Sequence, residues 1–148
     1  MSEVNAICRW QDKLTFNTEL DEFNVSMDAK KPLGSDSAPT PKQLVLAAIC
    51  GCTGMDVISL LKKYKQNTKA FEIEAQASPT DTHPISFKEV RLKYTLRGEL
   101  DPEKVKEAVH LSQTKYCSVS AMISKAAPIV YEIYVNEEKI ADGKSDFL

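Results

Sequence analysis

The sequence predicts an α+β fold in which an N-terminal antiparallel β-meander precedes a long buried central helix, with further strands and two helices in the C-terminal half. Three observations lead to this prediction. Apolar and polar residues alternate before residue 30, one central segment is almost entirely apolar, and alternation returns after residue 70. Because the strands are grouped instead of alternating with helices, the order β-β-β-α-β-β-α-α-β favours α+β over a doubly wound sheet.

The first 29 residues predict the three strands of the meander. Apolar side chains recur at every second position, a spacing typical of half-buried strands. Polar breaks near residues 11–12 and 19–21 indicate the two turns. The alternating residues are Val4, Ala6, Cys8 and Trp10, then Leu14 and Phe16, then Phe23, Val25 and Met27.

Residues 30–40 predict a loop, and the central helix follows it over about residues 41–64. The loop sequence KKPLGSDSAPT contains two prolines and a glycine. Thr40 is placed to cap the helix, and Pro41 suits its first position. Gln43 would complete a capping box by returning a hydrogen bond to Thr40.

The central helix is apolar nearly all round from Leu44 to Leu61. Such a helix is buried on all sides or lies in a membrane. Asp56, the modest length of the apolar segment and the chain's mean hydropathy of -0.30 argue against a membrane. We therefore predict a central core helix that needs a second chain to cover it.

The C-terminal α/β part, about residues 69–148, begins with two alternating segments at residues 71–77 and 90–96. Asp101 and Pro102 then predict the start of a second helix. A short third helix is expected from Ser118 to Lys125, and the last strand from Ile129 to Val135.

Length and composition predict one soluble domain over residues 1–148. The 148 residues carry a net charge of -2, which excludes a strongly basic nucleic-acid-binding surface and gives no reason to expect a membrane partner. The N-terminal segment has no apolar stretch of the secretory type, so we expect a cytoplasmic protein. Its four cysteines are then expected to be thiols, metal ligands or catalytic groups instead of a disulfide scaffold.

Cys52 lies in the middle of the apolar helix, in the segment ICGCTGMD. Gly51 and Gly54 flank it, and each costs about 1 kcal/mol in a helix interior, so close approach of another chain segment or a ligand is expected there. Asp56 is four residues later and shares the face of Cys52. Cys52 is therefore either a small core residue or part of a functional site.

The other three cysteines differ in their predicted roles. Cys8 and Cys50 are expected to be core residues, because Cys8 lies on the apolar side of a strand and Cys50 points away from Cys52 on the helix. Cys117 falls at a break between two helices, where free N–H groups and the helix dipole lower the pKa of a thiol. Cys117 is therefore either a reactive thiol or a helix-end residue without a role.

No metal or cofactor site is predicted. The sequence has no C-x-x-C pair, and His83 and His110 have no ligand spacing to a cysteine. Phosphate-binding and dinucleotide-binding glycine motifs are also absent from it.

The segment SAPTPKQLVLAAICGCTGMDVISLLKK, followed some sixty residues later by KYCSVSAM, resembles the OsmC/Ohr superfamily, most of all its YhfA-like branch. The resemblance covers most of the chain. It implies an OsmC-like fold and an intertwined homodimer whose central helices are buried against each other, with two sites at the interface.

The resemblance also implies thiol-based reduction of hydroperoxides. Cys52 matches the peroxidatic cysteine and Cys117 the resolving cysteine, with an external dithiol as reductant. Family members that reduce peroxides have a glutamate directly after the helix-opening proline and an arginine from the N-terminal strands. Here Lys42 and Gln43 follow Pro41, and Arg9 is the nearest arginine. Gln43, Arg9 and Asp56 are therefore the candidate supporting residues.

These departures leave two further hypotheses beside the peroxidase. One is a catalytically weak protein that binds a small apolar ligand, or senses redox state, at the dimer interface. The other is a structural domain in which the cysteines only fill space.

Overall fold

The computed structural model describes residues 2–148, which form two compact units. The first unit ends at Val45 and the second is Leu46–Leu148, so that the boundary falls inside the central helix. The element order confirms the predicted α+β class and adds one strand at the end. The elements are β1 (Ile7–Asp12), β2 (Thr15–Leu20), β3 (Phe23–Met27), α1 (Pro41–Lys63), β4 (Asn67–Pro79), β5 (Phe87–Glu99), α2 (Pro102–Leu111), a π-helical turn (Ser112–Tyr116), α3 (Ser118–Ser124), β6 (Ile129–Val135) and β7 (Glu138–Lys144).

The first unit contains the predicted meander, with strand order β1-β2-β3 and antiparallel pairing throughout. The positive φ angles of Lys13 and Asp21 (48° and 56°) place these two residues in the tight turns between the strands. All six residues of the edge strand β1 are exposed, Cys8 and Trp10 included. The prediction that Cys8 is a core residue is therefore wrong, because alternation identifies the faces of a strand but not whether anything covers them.

A buried carboxylate organises the loop after β3. Asp28 is only 2% exposed and accepts hydrogen bonds from the Ser37 hydroxyl (2.6 Å) and from the backbone N–H groups of Ala29, Ser35 and Ser37. The hydrogen bond from the Ser37 hydroxyl is the main reason that the pKa of Asp28 falls to about 2. One side chain thus closes the loop that leads into α1.

Helix α1 begins as the sequence predicts. The Thr40 N–H donates to Gln43 Oε1 (2.9 Å), and the Gln43 N–H donates to Thr40 Oγ1 (3.2 Å), which is a capping box. By length and composition alone α1 could also span a membrane, with a mean hydropathy of 2.1 over its most apolar window, but core helices of soluble proteins share that property.

The burial of α1 in the single chain is confined to one stripe. Ile49, Thr53, Val57 and Leu61, spaced by one helical turn, are fully buried, whereas Met55 on another face is 72% exposed. The prediction of burial on all sides therefore holds within one chain only for this stripe.

The second unit contains a four-stranded sheet with the order β4-β5-β6-β7. Strands β5 and β6 are parallel, and the other neighbours are antiparallel. A parallel pair needs a long crossover, which α2, the π-turn and α3 supply. The fully buried residues of β5 and β6 pair with one another across the sheet and form the core with α1 and α2: Val90 with Ile129, Leu92 with Tyr131, Tyr94 with Ile133, and Leu96 with Val135.

Strand β7 was not predicted, and the predicted order lacks it. Its sequence EKIADGK has little apolar alternation, because it lies at the edge of the sheet with no fully buried residue. The other elements of this unit follow the prediction. Asp101 caps α2 by accepting a hydrogen bond from the Glu103 N–H (3.0 Å), with Pro102 at the first position.

We predict that Asp28→Asn lowers the melting temperature at neutral pH by several degrees, because an amide accepts fewer of the four hydrogen bonds and brings donors of its own. Since the pKa of Asp28 is depressed in the folded chain, its stabilising effect is present above its ordinary value of 3.8 and is lost as the pH falls towards about 2. The melting temperatures of Asp28→Asn and the parent should therefore become equal near pH 2.

Asp36→Asn is the matched control, since Asp36 lies in the same loop but is exposed and pairs only with Lys30 (3.0 Å). It should melt close to the parent at both pH values. Equal melting of Asp28→Asn and the parent at pH 7 would contradict the role given to this carboxylate.

Candidate functional site

The fold brings Cys52 and Cys117 together. Cys52 lies in the middle of α1, and Cys117 is the N-cap of α3 at the end of the crossover. The Cys52 thiol is near enough to Cys117 to raise the pKa of Cys117, although 65 positions separate the two residues in the sequence. The Cys52 Sγ also lies 3.8 Å from the hydroxyl of Ser118, the residue after Cys117. The two cysteines that the sequence singles out therefore share one site.

The two sulfurs differ in their access to solvent. Cys117 is fully buried at 0% exposure, whereas Cys52 is half-buried. A small molecule that arrives from solvent therefore meets the Cys52 sulfur first.

The prediction that the helix start lowers the pKa of Cys117 is wrong. Burial raises this pKa to about 11, and the contact with Cys52 raises it further. Hydrogen-bond donors at the helix start do lower this pKa, as predicted: the Ser120 N–H lies 3.3 Å from the sulfur, and the Ser120 side chain acts in the same direction. Removal of the sulfur from water outweighs these donors, so Cys117 keeps its proton at neutral pH.

A π-helical turn places Cys117. Residues Ser112–Tyr116 continue α2 with a wider turn, in which the Cys117 N–H donates to the Ser112 carbonyl five residues earlier (2.9 Å). The sequence predicts a simple break here, and the structure shows a continuous but widened helix. Such turns are rare and are frequent at functional sites. Ser112 and Gln113, the first two residues of the turn, are fully buried.

Buried polar side chains from three elements meet behind the cysteines. Thr53 of α1 has its hydroxyl 2.7 Å from both the Tyr94 hydroxyl of β5 and the Ser112 hydroxyl of the π-turn. The Gln113 amide donates to the Thr53 and Tyr94 hydroxyls, each at 3.1 Å. Burial raises the pKa of Tyr94, so its phenol stays protonated and can donate.

The positions of the hydroxyl protons in this cluster follow from the group at its end, the Asp56 carboxylate. The Ser112 hydroxyl donates to the Asp56 carboxylate (2.9 Å), so it must accept the proton of Thr53. Thr53 then accepts from Tyr94, whose single proton is thereby used. The hydroxyls of Tyr94, Thr53 and Ser112 therefore form a directed chain that ends on Asp56.

Asp56 is half-buried one helical turn after Cys52. Burial raises its pKa, and the hydrogen bond from Ser112 opposes that shift. The sequence-based expectation that this carboxyl must be paired is confirmed, and its partner is Ser112.

The other two candidate supporting residues make contacts of their own in the first unit. Gln43 is engaged in the capping box with Thr40. Arg9 forms an exposed ion pair with Glu19 across the meander at 2.7 Å. The geometry of the first unit thus gives both side chains local partners.

The glycines beside Cys52 have different surroundings. A Cβ at Gly54 would lie 3.2 Å from Ile73 Cδ1 of β4, so close packing explains this glycine. A Cβ at Gly51 would meet nothing within 4 Å, and Gly51 is exposed. Cys50 is half-buried and directs its thiol to the Ile73 carbonyl (3.7 Å), away from the Cys52 site.

Residues 2–148 contain no cluster of three or more His, Cys, Asp or Glu side chains with the geometry of a metal site.

Sequence reasoning missed the hydroxyl and amide groups of the site. Thr53 has one recognisable signal, because it is a polar residue on the apolar helix one position after Cys52. Tyr94 reads as an ordinary alternating strand residue. Ser112 falls on the same helical face as Val105, Ala108 and Val109, so the spacing predicts its inward position. Gln113 has no local signal, since its inward position depends on the π-turn.

Comparison with known proteins identifies the family of this chain. Residues 34–132 match the OsmC-like protein family. The chain is 33% identical over 134 residues to Protein YhfA of Escherichia coli strain K12, which covers 89% of this chain and 98% of that protein.

Solved structures show the same fold. A hypothetical protein from Aquifex aeolicus VF5 superposes with a TM-score of 0.80 at 27% identity, covering 93% of this chain and 100% of the other. An organic hydroperoxide resistance protein OsmC from Legionella pneumophila superposes with a TM-score of 0.71 at 17% identity, covering 91% and 98%. The shared fold, the family match and the identity to YhfA lead to one conclusion: this chain belongs to the OsmC-like protein family.

Proposed function

We propose that this protein reduces hydroperoxides with a pair of cysteine thiols, Cys52 as the attacking residue and Cys117 as the resolving one. The observation that carries the proposal is the proximity of these two cysteines, since the half-buried Cys52 sulfur lies 3.8 Å from the hydroxyl of Ser118, the residue next to the buried Cys117. The name of the Legionella pneumophila structure, an organic hydroperoxide resistance protein, supports a peroxide with an organic substituent as substrate.

In the first step the Cys52 sulfur attacks the terminal peroxide oxygen. A sulfur–oxygen bond forms, the O–O bond breaks, and an alkoxide leaves, so Cys52 becomes a sulfenic acid. In this proposal Asp56, which shares the helix face of Cys52 one turn along α1, takes the Cys52 proton and returns it to the alkoxide. Burial raises the pKa of Asp56, which makes its carboxylate a stronger base than an exposed aspartate.

In the second step the Cys117 sulfur attacks the Cys52 sulfenic acid. The S–S bond forms, the S–O bond breaks, and the hydroxide leaves as water with the Cys117 proton. Because the pKa of Cys117 is about 11, this thiol is a poor first nucleophile and stays reduced until Cys52 is oxidised. An external dithiol then reduces the disulfide by exchange and releases both thiols.

A second candidate function is redox sensing or apolar-ligand binding without rapid turnover. The contacts of Arg9 with Glu19 and of Gln43 with Thr40 favour it, because both candidate supporting side chains have other partners. Single oxidation of the chain without continued peroxide consumption in the presence of a dithiol would favour sensing over the peroxidase.

We also propose that the protein is a cytoplasmic homodimer in which α1 packs against α1 of a second copy. The exposed Gly51 and Met55 lie one turn apart on the helix, and no neighbour within the chain explains the glycine. A glycine in a helix interior costs about 1 kcal/mol, and close approach of a second helix would explain its presence.

The cysteine mechanism predicts the loss of two free thiols per chain when one equivalent of cumene hydroperoxide is added, counted after unfolding. Cys52→Ser should lose none and should consume peroxide with a dithiol no faster than buffer. Cys117→Ser should instead form a Cys52 sulfenic acid that dimedone traps.

Cys50→Ser is the matched control, because Cys50 lies on the same helix and its thiol contacts the Ile73 carbonyl instead of Cys117. It should still lose two thiols and turn over like the parent. Peroxide consumption by Cys52→Ser at the parental rate would rule out the mechanism.

Asp56→Asn should slow peroxide reduction but raise the melting temperature at pH 7. The pKa of Asp56 is raised in the folded chain, so its ionisation destabilises the fold as the pH rises through that higher value. The gain in stability should therefore shrink as the pH falls towards 4. Asp81→Asn, in the exposed loop after β4, should change neither property. Full activity in Asp56→Asn would show that this carboxylate takes no part in the mechanism.

The dimer proposal predicts a particle of twice the 16.5 kDa chain mass in light scattering. Met55→Lys should shift the mass towards that of one chain, because an ammonium group would have to be buried between the helices. His83→Lys, which adds a charge in an exposed loop, should leave the dimer intact. A monomeric parent would contradict the proposal.

A further inference from the structure

We propose that Gln113 is a positioning residue that holds the Ser120 hydroxyl as a hydrogen-bond donor to the Cys117 sulfur. The consequence for turnover rests on the proposed function, whereas the arrangement itself can be tested without any peroxide.

The Gln113 side chain is fully buried, and both ends of its amide have partners. Its two N–H protons serve three hydroxyl oxygens at 3.1 Å, so the Thr53 and Tyr94 hydroxyls share one proton and the Ser120 hydroxyl accepts the other. Its oxygen accepts from the Ser145 hydroxyl of the C-terminal segment. The backbone is fixed as well, because the Asp146 N–H donates to the Gln113 carbonyl (3.1 Å).

The direction of the Ser120 proton follows from this contact. The Ser120 oxygen accepts from the Gln113 amide, so its single proton is free to donate elsewhere. The Ser120 N–H donates to the Cys117 sulfur at 3.3 Å, and hydrogen bonding by the Ser120 side chain lowers the pKa of the same thiol. One serine thus supplies two donors to one sulfur. If the amide were reversed, Ser120 would donate to the amide oxygen and the sulfur would keep only the N–H.

The surroundings of Cys117 show why such donors matter. Burial is the largest cause of its raised pKa, and the Ser120 hydroxyl is the largest opposing one. Two titratable groups from neighbouring elements also act on it: Cys52 of α1 raises the pKa of Cys117, and Tyr94 of β5 is electrostatically linked to the same sulfur. Neither Cys52 nor Tyr94 carries a fixed positive charge that could stabilise the Cys117 thiolate, so Ser120 provides this stabilisation.

In the proposed reaction this arrangement acts on the second step only. Cys117 must lose its proton as its sulfur bonds to the Cys52 sulfenic acid, and the Ser120 hydroxyl stabilises the negative charge that develops. Attack of Cys52 on the peroxide does not need it.

The test is an NMR titration of the chain labelled with [3-13C]cysteine, in which the Cys117 signal is assigned by its loss in Cys117→Ser. Ser120→Ala and Gln113→Met should each raise the Cys117 pKa by about one pH unit or more, since a hydrogen bond to a charged group contributes roughly 1.5–3 kcal/mol. The double variant should match Ser120→Ala, because Gln113 acts through Ser120.

Ser124→Ala is the matched control, since Ser124 lies on the same helix and donates to the Ala121 carbonyl (2.9 Å), not to a cysteine. Its Cys117 pKa should equal that of the parent. The proposal would be overturned by an unchanged Cys117 pKa in folded Gln113→Met. It would also be overturned if the Cys117 pKa of the double variant rose by the sum of both single effects. If Gln113→Met does not fold, Ser145→Ala takes its place in the test and should also raise the Cys117 pKa.

A peroxide experiment separates this inference from the proposed function. With one equivalent of cumene hydroperoxide, Ser120→Ala should accumulate the dimedone-reactive Cys52 sulfenic acid while the parent forms the disulfide. If the parent is not oxidised at all, the proposed function fails, and the titration still decides the role of Gln113. The effect on the second step would be contradicted if the parent is oxidised and Ser120→Ala forms its disulfide at the parental rate.

Discussion

The hydrogen bonds of the Thr53 hydroxyl connect the three elements on which the site depends. They join α1 to β5 through Tyr94 and to the crossover through Ser112. Buried hydroxyls must be paired, and an unpaired one costs about 1–3 kcal/mol, so these contacts fix how far α1 can slide or rotate against the sheet. Cys52 is the residue before Thr53, and Cys117 follows the turn that holds Ser112. The meeting of the two thiols is thus a consequence of this polar contact as much as of the apolar core around it.

The same packing gives the two sulfurs unequal properties. Cys52 stays half-buried on α1, whereas Cys117 is closed off by the crossover and keeps its proton because water cannot stabilise its thiolate. An accessible sulfur beside a sealed one suits a reaction in two ordered steps. Hydroxyl groups act on both sides of the pair, with Ser112 donating to Asp56 and Ser120 donating to Cys117. The described groups that act on charge at this site are thus neutral donors and one carboxylate.

The sequence allowed most of the fold to be predicted, because the fold depends on local patterns. The capping box of Thr40 and Gln43 and the alternation of β5 and β6 are examples. The pairing of Cys52 with Cys117 was implied by the family resemblance, since local patterns left the role of each cysteine open. The errors concern properties that arise only from packing. Local reasoning predicts a lowered pKa for Cys117, and burial by distant elements reverses it. Cys8 alternates like a core residue but lies on an uncovered edge strand. Helical spacing predicts the inward position of Ser112, which is confirmed. The inward position of Gln113 could not be predicted, because a π-turn differs from an α-helix by one residue in its hydrogen bonding and leaves no pattern in the sequence.

The central claim is that Cys52 and Cys117 of one chain form a redox pair, and a map of the oxidised protein tests it most directly. The chain is oxidised with one equivalent of hydroperoxide, its remaining thiols are blocked, and the tryptic peptides are sequenced by mass spectrometry without reduction. The account predicts a single cross-link between the peptide containing Cys52 and the peptide containing Cys117, with Cys50 and Cys8 blocked as free thiols. Cys52 recovered as sulfinic acid with Cys117 still free, or a cross-link that involves Cys50 or Cys8, would contradict it.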